Sequence, residues 1–197
     1  MGIGLVEGTR VTIGREIGSV LGDPNDLALV LMFPASFAVS LIATQGVGKS
    51  SRLLGLLAFV TIMSGGFVAG LKAGFVYNTF PLMDGRWIPE AMFLQEPLWR
   101  NFFENMATVQ FDHRLLATLT FLGTMAFWFI AGRTISTPQA RLGMHLLLAA
   151  VVLQVTLGIL ILLMAVPTLL AAAHQAVALV FLTIALYLVH SLRKIPM

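Results

Sequence analysis

Five apolar stretches, each long enough to cross a bilayer, recur along the chain and leave few ways for it to fold. A transmembrane helix needs about 20 largely apolar residues. Composition agrees, since 58% of the residues are hydrophobic, 11% are charged and the mean hydropathy is +0.91. The sequence therefore predicts an all-α polytopic membrane protein, a four-helix transmembrane bundle with one extra N-terminal span. The predicted spans lie at 26–45, 53–75, 113–132, 142–166 and 170–191.

The net charge of +3 does not indicate a nucleic-acid partner, because the basic residues cluster beside apolar stretches. The sequence contains no nucleic-acid motif and none of the common hydrolase, zinc-protease or phosphate-loop motifs. It has no cysteine, which excludes disulfides and thiolate metal sites. No carboxylate lies inside the later predicted spans, so a proton-relay or ion-coupled transporter is not indicated.

Basic residues in the short connections fall on one side of the membrane if all five stretches cross it. Such residues mark the cytoplasmic side. We therefore predict a cytoplasmic C-terminus, with the N-terminal arm and the long segment 76–112 outside. That segment is too long for a tight turn and is predicted to form a folded external loop with short helical pieces. The basic residues are Lys49, Arg52, Arg133, Arg141, Arg193 and Lys194.

Two of the four histidines, His113 and His174, lie near the outer ends of separate predicted spans. A single histidine in a membrane helix is more often a packing residue than a ligand. Two imidazoles at one depth on facing helices can fill both axial positions of a haem iron. Zinc and di-iron sites need further ligands or clustered carboxylates, which are missing at this depth. The pattern favours a haem site, with His145 and His190 as ordinary residues near the inner surface.

Residues next to the two histidines suit such a site. Asp112 or Gln110 is placed to orient an imidazole N–H, as the residues behind metal ligands do. The small residues of LAAAHQAVA around His174 leave room for a porphyrin edge. In the predicted span 53–75, Gly66, Gly70 and Gly74 recur every four residues. This spacing allows close approach of a helix or a flat ligand.

Arg114, with Arg86 and Lys72 as alternatives, is placed to pair with haem propionates at the outer surface. The simpler interpretation of each of these three residues is a charged side chain exposed to solvent. The outer side of the haem is predicted to be covered by aromatic residues of the external loop. These are Trp87, Trp99 and Phe102.

Four segments together resemble the C-terminal half of haem A synthase, in the branch shared by mitochondria and alphaproteobacteria. The resemblance covers roughly residues 55 to 190, and its motifs YNTFPLMDGRWIP and VQFDHR are specific. The segments are MSGGFVAGLKAGFVYNTFPLMDGRWIPE, NFFENMATVQFDHRLLA, LQVTLGILILL and LAAAHQAVAL.

The resemblance implies an eight-helix enzyme of two similar halves, integral to the bacterial inner membrane. It implies oxidation of a methyl group of haem O to the formyl group of haem A in cytochrome oxidase assembly. The C-terminal half carries a haem b on a histidine pair that corresponds to His113 and His174. Gln110 stands where the substrate-binding half has a glutamate. The implied partners are the lipid membrane, haem O, the haem O synthase that supplies it and a second copy of the chain.

The N-terminal segment is predicted to be a separate unit. Within it, LGDPNDLALVLMFPASFAVSLIA resembles a segment of the O-antigen ligase and polymerase family. Two domains are therefore predicted, an arm with the first span over 1–50 and a four-helix haem-binding half over 51–197. A fusion of reading frames and a half-protein that dimerises to rebuild eight helices both agree with this division.

Three functional classes follow. The first is a haem A synthase-type oxidoreductase whose haem b delivers electrons while haem O binds at another site. The second is a non-catalytic membrane module that carries haem b or its electrons and makes no haem A. The third is a fragment of an O-antigen ligase, which predicts no haem.

Overall fold

The computed structural model describes residues 48–192, and the predicted N-terminal span at 26–45 lies outside them. Within this range four long helices are each long and apolar enough to cross a membrane. The predicted all-α bundle with four spans is confirmed for the described residues. The helices are α1 (Lys49–Gly70), the short α2 (Asn101–Glu104), α3 (Met106–Ala131), α4 (Pro138–Leu163) and α5 (Thr168–Ser191).

Two helix ends differ from the predicted spans for local reasons. The first described helix ends at Gly70, because Lys72 takes a left-handed conformation with φ of 54° and starts a 3-10 turn. Gly74 therefore lies in that turn rather than on α1. At the other end of the loop, α3 begins at Met106, because the Asn105 side chain caps its free N–H groups. The helix thus starts earlier than the apolar stretch.

The four long helices form a closed ring. The first packs against α3, α3 against α4, α4 against α5, and α5 returns to α1. The most extensive contacts are between α1 and α3 and between α4 and α5. The bundle therefore consists of two antiparallel helical hairpins, with α3 and α5 at opposite corners.

Packing between the helices combines apolar side chains with a few buried hydroxyls. The hydroxyls of Thr61 and Thr120 share a hydrogen bond of 2.7 Å that joins α1 to α3. Lipid tails offer no hydrogen-bond partner, so the two hydroxyls satisfy each other. The apolar core fills the half of the bundle nearer the C-terminus of α5. Its buried members include Met144, Leu147, Val151, Phe181, Leu182 and Leu188.

The connection from α1 to α3 is a folded loop held by two asparagines. Asn101 is fully buried, and it accepts a hydrogen bond from Gln95 N at 2.9 Å and donates to Gln95 O at 2.7 Å. Asn105 donates to Ala91 O at 2.8 Å. Asn78 ties the loop to α4 by donating to Leu162 O at 3.0 Å. As predicted, the loop includes short helical pieces, and it covers one end of the bundle, here called the histidine end.

Candidate functional site

The two candidate ligands lie at the same depth on two helices of the bundle. His113 lies about two turns into α3 and His174 about two turns into α5, which is roughly 9 to 10 Å from each helix start. Both helices start at the histidine end. The matched depth expected from the sequence is present, on helices at opposite corners of the ring.

His113 is held against α1. Its Nδ1 lies 2.8 Å from the hydroxyl oxygen of Ser64. A Cβ added at Gly65 would lie only 3.1 Å from Cε1 of the ring. The imidazole therefore rests on the backbone of α1, in a position that a residue other than glycine would disturb.

His174 is held against α4 in a similar but not identical way. Its Nε2 lies 3.2 Å from the amide nitrogen of Gln154, while its Nδ1 is buried with no hydrogen-bond partner within the described part of the chain. A Cβ added at Gly158 would lie 3.3 Å from Cε1. The oxygen of the Gln154 amide is also buried without a partner among residues 48–192.

The polar residues beside His113 hold the loop rather than the imidazole. Arg114 donates to the Thr79 carbonyl at 2.9 Å and to the Tyr77 carbonyl at 2.8 Å. Gln110 is buried and donates to the same Tyr77 oxygen at 3.0 Å. The side chain that contacts Nδ1 of His113 is Ser64, and neither Asp112 nor Gln110 does so.

Arg86 and His145 have partners other than the two imidazoles. Arg86 forms an ion pair with Glu90. The indole of Trp128 donates to Nδ1 of His145 at 3.1 Å, and His190 is exposed on α5. The three aromatic residues predicted to cover the haem are largely exposed in the loop; they are Trp87, Trp99 and Phe102.

Charge in the external loop is paired locally. Arg100 donates two hydrogen bonds to Glu104, the shorter of 2.6 Å. That hydrogen bonding lowers the pKa of the Glu104 carboxyl and raises the pKa of Arg100. Both side chains are exposed to water, so the pair adds little to stability.

The donor set suits haem iron. Imidazole nitrogens from two facing helices are a common axial pair for haem, and glycines beside both rings allow the helix backbones to approach. Two polar atoms in this interior have no hydrogen-bond partner among residues 48–192, namely Nδ1 of His174 and the amide oxygen of Gln154. Residues 48–192 bring together no group of three or more histidine, cysteine or carboxylate side chains of the kind that zinc or di-iron would use.

A separate open cavity lies at the opposite end of the bundle. It has a volume of about 560 Å³ and is lined by apolar and hydroxyl side chains, with no titratable group. It is therefore not the site of the histidines. Its lining includes Leu54, Leu57, Phe127, Ile130, Ile135 and Leu192.

Comparison with known proteins identifies the family of this chain. The model of the COX15–CtaA family, described as cytochrome oxidase assembly proteins, matches residues 29–186. The chain belongs to this family. The match begins at residue 29, inside the segment 1–50 that the sequence had set apart, and the domain boundary at residue 50 stays a prediction.

Curated relatives match this chain over most of its length. The heme A synthase of Nitrosospira multiformis is 47% identical over 168 residues, covering 85% of this chain and 47% of the relative. The heme A synthase COX15 of Arabidopsis thaliana is 43% identical over 85% of this chain and 37% of its own length. The human heme A synthase COX15 is 47% identical over 71% of this chain and 34% of its own. The chain thus spans about a third to a half of these relatives, and no solved structure matches it.

Several residues of the site were not expected from the sequence of this COX15–CtaA member. Ser64 and Gln154 contact the imidazoles from neighbouring helices, and the glycines beside the rings are 65 and 158 rather than the predicted 66, 70 and 74. The N-cap role of Asn105 could have been predicted, because an asparagine just before a helical stretch is a common N-cap.

Proposed function

We propose that this chain binds a haem b between α3 and α5 through His113 and His174, and that it acts in the oxidation of haem O to haem A during cytochrome oxidase assembly. The observation that carries the proposal is the pair of imidazoles at one depth, each packed against a glycine of the adjacent helix. The names of the relatives, heme A synthases, supply the reaction.

The geometry suggests a supporting role for the histidine pair. A haem held by His113 and His174 would supply one-electron transfer rather than bind oxygen. We therefore place haem O at a second site, formed with another copy of the chain, and propose haem O synthase as its supplier. Within this chain, the proposed ligands are His113 and His174, and Arg114 holds the external loop through the carbonyls of Thr79 and Tyr77.

The haem site is tested by spectroscopy on the purified protein. We expect reduced-minus-oxidised spectra and a pyridine haemochrome assay to show bis-histidine haem b. His113→Ala and His174→Ala should each lose it. The exposed histidines provide matched controls, because His145→Ala and His190→Ala leave the pair intact. A wild type that stays colourless with adequate haem supply would refute the proposal.

The reaction is tested separately in a strain that lacks its own haem A synthase and makes haem O. Extracted haems are separated by chromatography with and without the chain. Formation of haem A, lost in the two ligand variants, would support the oxidation. Haem b in the protein without any haem A would favour the non-catalytic carrier or electron-transfer module.

We also propose that the histidine end faces the outside of the bacterial inner membrane and that the C-terminus is cytoplasmic. The basic residues at the opposite end support this orientation, among them Lys49, Arg52, Arg133 and Arg141. A reporter that is active only outside should be inactive when fused after Ser191 and active when inserted in the loop near Gly85. The reverse pattern would contradict the orientation.

A further inference from the structure

The hydroxyl of Ser64 lies between two groups with different hydrogen-bonding abilities. Its oxygen is 2.7 Å from the carbonyl oxygen of Thr61, on the preceding turn of α1. The same oxygen is 2.8 Å from Nδ1 of His113 on α3. The three groups form a short chain of hydrogen bonds from one helix to the other.

The number of available protons determines which group donates in each of these two hydrogen bonds. A serine hydroxyl has one proton and two lone pairs, whereas a carbonyl can only accept. If Ser64 donates to Thr61, its oxygen is left to accept, so Nδ1 of His113 must carry the proton. Both hydrogen bonds are then made. If Ser64 donated to Nδ1 instead, one of the two bonds would be lost.

The other imidazole nitrogen agrees with this direction. Nε2 of His113 makes no hydrogen bond within the described residues. The Thr61 carbonyl also lies beside the imidazole and can only accept. A proton on Nδ1 leaves the free lone pair on Nε2.

We propose that Ser64 is a positioning residue that holds His113 in the Nδ1–H tautomer, with the Nε2 lone pair directed to the haem iron. The part of this proposal that concerns iron rests on the proposed function. The tautomer itself does not, because it follows from groups on α1 and α3 alone.

A neutral acceptor behind a ligand also sets its electron donation. An acceptor that bonds the second N–H raises the basicity of the ligating imidazole, and a carboxylate does so more strongly than a hydroxyl. Greater basicity favours ferric over ferrous iron. Ser64→Ala should therefore raise the midpoint potential, and Ser64→Asp should lower it. We expect the aspartate to favour ferric iron by about tenfold, which corresponds to about 59 mV.

His174 differs in a way that sharpens the comparison. Its Nε2 is the nitrogen engaged by Gln154, and its Nδ1 has no partner among residues 48–192. An amide nitrogen can only donate, so Nε2 of His174 accepts and the proton of this ring lies on Nδ1, where no described residue accepts it. Both rings therefore have the Nδ1–H tautomer, but among residues 48–192 only His113 has a hydrogen-bond acceptor for that proton.

The first experiment uses haem-free full-length protein labelled with ¹⁵N-histidine, in detergent or nanodiscs. For His113 we expect a protonated-type signal from Nδ1 and an unprotonated-type signal from Nε2, assigned by their loss in His113→Asn. Ser64→Thr should preserve them, because threonine supplies the same hydroxyl. Ser64→Ala should shift the population toward the other tautomer. Ser50→Ala, an exposed serine on the same helix, is the matched control.

The second experiment measures midpoint potentials after haem is added. Shifts of opposite sign in Ser64→Ala and Ser64→Asp, with none in Ser64→Thr, would support the proposal. A wild-type His113 protonated at Nε2, or a tautomer unchanged in Ser64→Ala, would overturn it. If the wild type shows the expected tautomer but binds no haem, the proposed function fails while the role of Ser64 in fixing the ring stands.

Discussion

Gly65 and Gly158 determine how closely the imidazoles lie against neighbouring helices. An alanine Cβ would come within 3.1 Å of the His113 ring at the first position and within 3.3 Å of the His174 ring at the second. The rings would have to move by a few tenths of an ångström, and ligand sites tolerate little displacement. We expect Gly65→Ala to weaken haem binding by about tenfold and Gly158→Ala by less, in titrations followed by haem absorbance.

The control for the glycine variants is Gly123→Ala on α3. A Cβ there meets Leu54 at an ordinary 3.4 Å, far from both rings. Its haem affinity should equal that of the wild type. Equal affinity in all three alanine variants would mean that the close contacts are unimportant for the site.

Gln154 is hydrogen-bonded to Nε2 of His174, which is the nitrogen that would bind iron. Its hydrogen bond stabilises the haem-free protein and must be given up on ligation. Gln154→Leu removes it, and a typical bond contributes about 0.5–1.5 kcal/mol. We expect haem affinity to rise by roughly two- to tenfold, measured as above. Gln139→Leu, exposed on the same helix, should change nothing, and a loss of affinity in Gln154→Leu would show that the amide supports the bound state instead.

At the scale of the element, Asn105 determines where α3 begins. Its side-chain oxygen accepts from Ala107 N at 2.9 Å and Thr108 N at 3.3 Å, and its nitrogen donates to the Ala91 carbonyl. Asn105→Ala removes the cap and the loop contact together. We expect the free energy of unfolding to fall by roughly 1–2 kcal/mol in denaturant titrations.

Asn105→Asp separates the two roles of this residue. The carboxylate keeps the cap acceptor and suits the helix N-terminus, but it cannot donate to the loop. We expect hydrogen exchange to stay slow at the first turn of α3 and to become faster near Ala91. Fast exchange at both places would show that the cap depends on the loop.

The elements also show what the sequence could reveal. The apolar stretches set the four long helices and the chain reversals between them, so the common depth of His113 and His174 was predictable. The rotation of each helix about its axis depends on packing, and so the contacts of Ser64 and Gln154 were not. Gln110 and Arg114 were expected near the haem, yet they bond carbonyls of the loop, whose path the sequence does not reveal.

At the scale of the whole molecule, haem would join two hairpins that otherwise share fewer contacts. His113 belongs to the α1–α3 hairpin and His174 to the α4–α5 hairpin. A ligand that binds only the folded state stabilises it, by about 2.7 kcal/mol at a free concentration 100 times its Kd. We expect removal of haem to lower the Tm of the wild type, measured by thermal unfolding.

His113→Ala is the control for this effect. This variant should unfold at the same temperature with and without added haem, because it lacks one of the two proposed ligands. In the wild type, haem should slow hydrogen exchange most where α1 meets α5 and α3 meets α4. Haem-dependent stabilisation of His113→Ala would point to binding elsewhere.

The division into hairpins has a consequence for the time course of synthesis. Thr61, Ser64, Gly65 and His113 all precede the first residue of α4. A ribosome that has just synthesised α3 has therefore already made His113 and the groups of α1 that contact its ring. His174, the second proposed ligand, follows only after the whole of α4, so the proposed pair is completed one hairpin later than the contacts that orient His113.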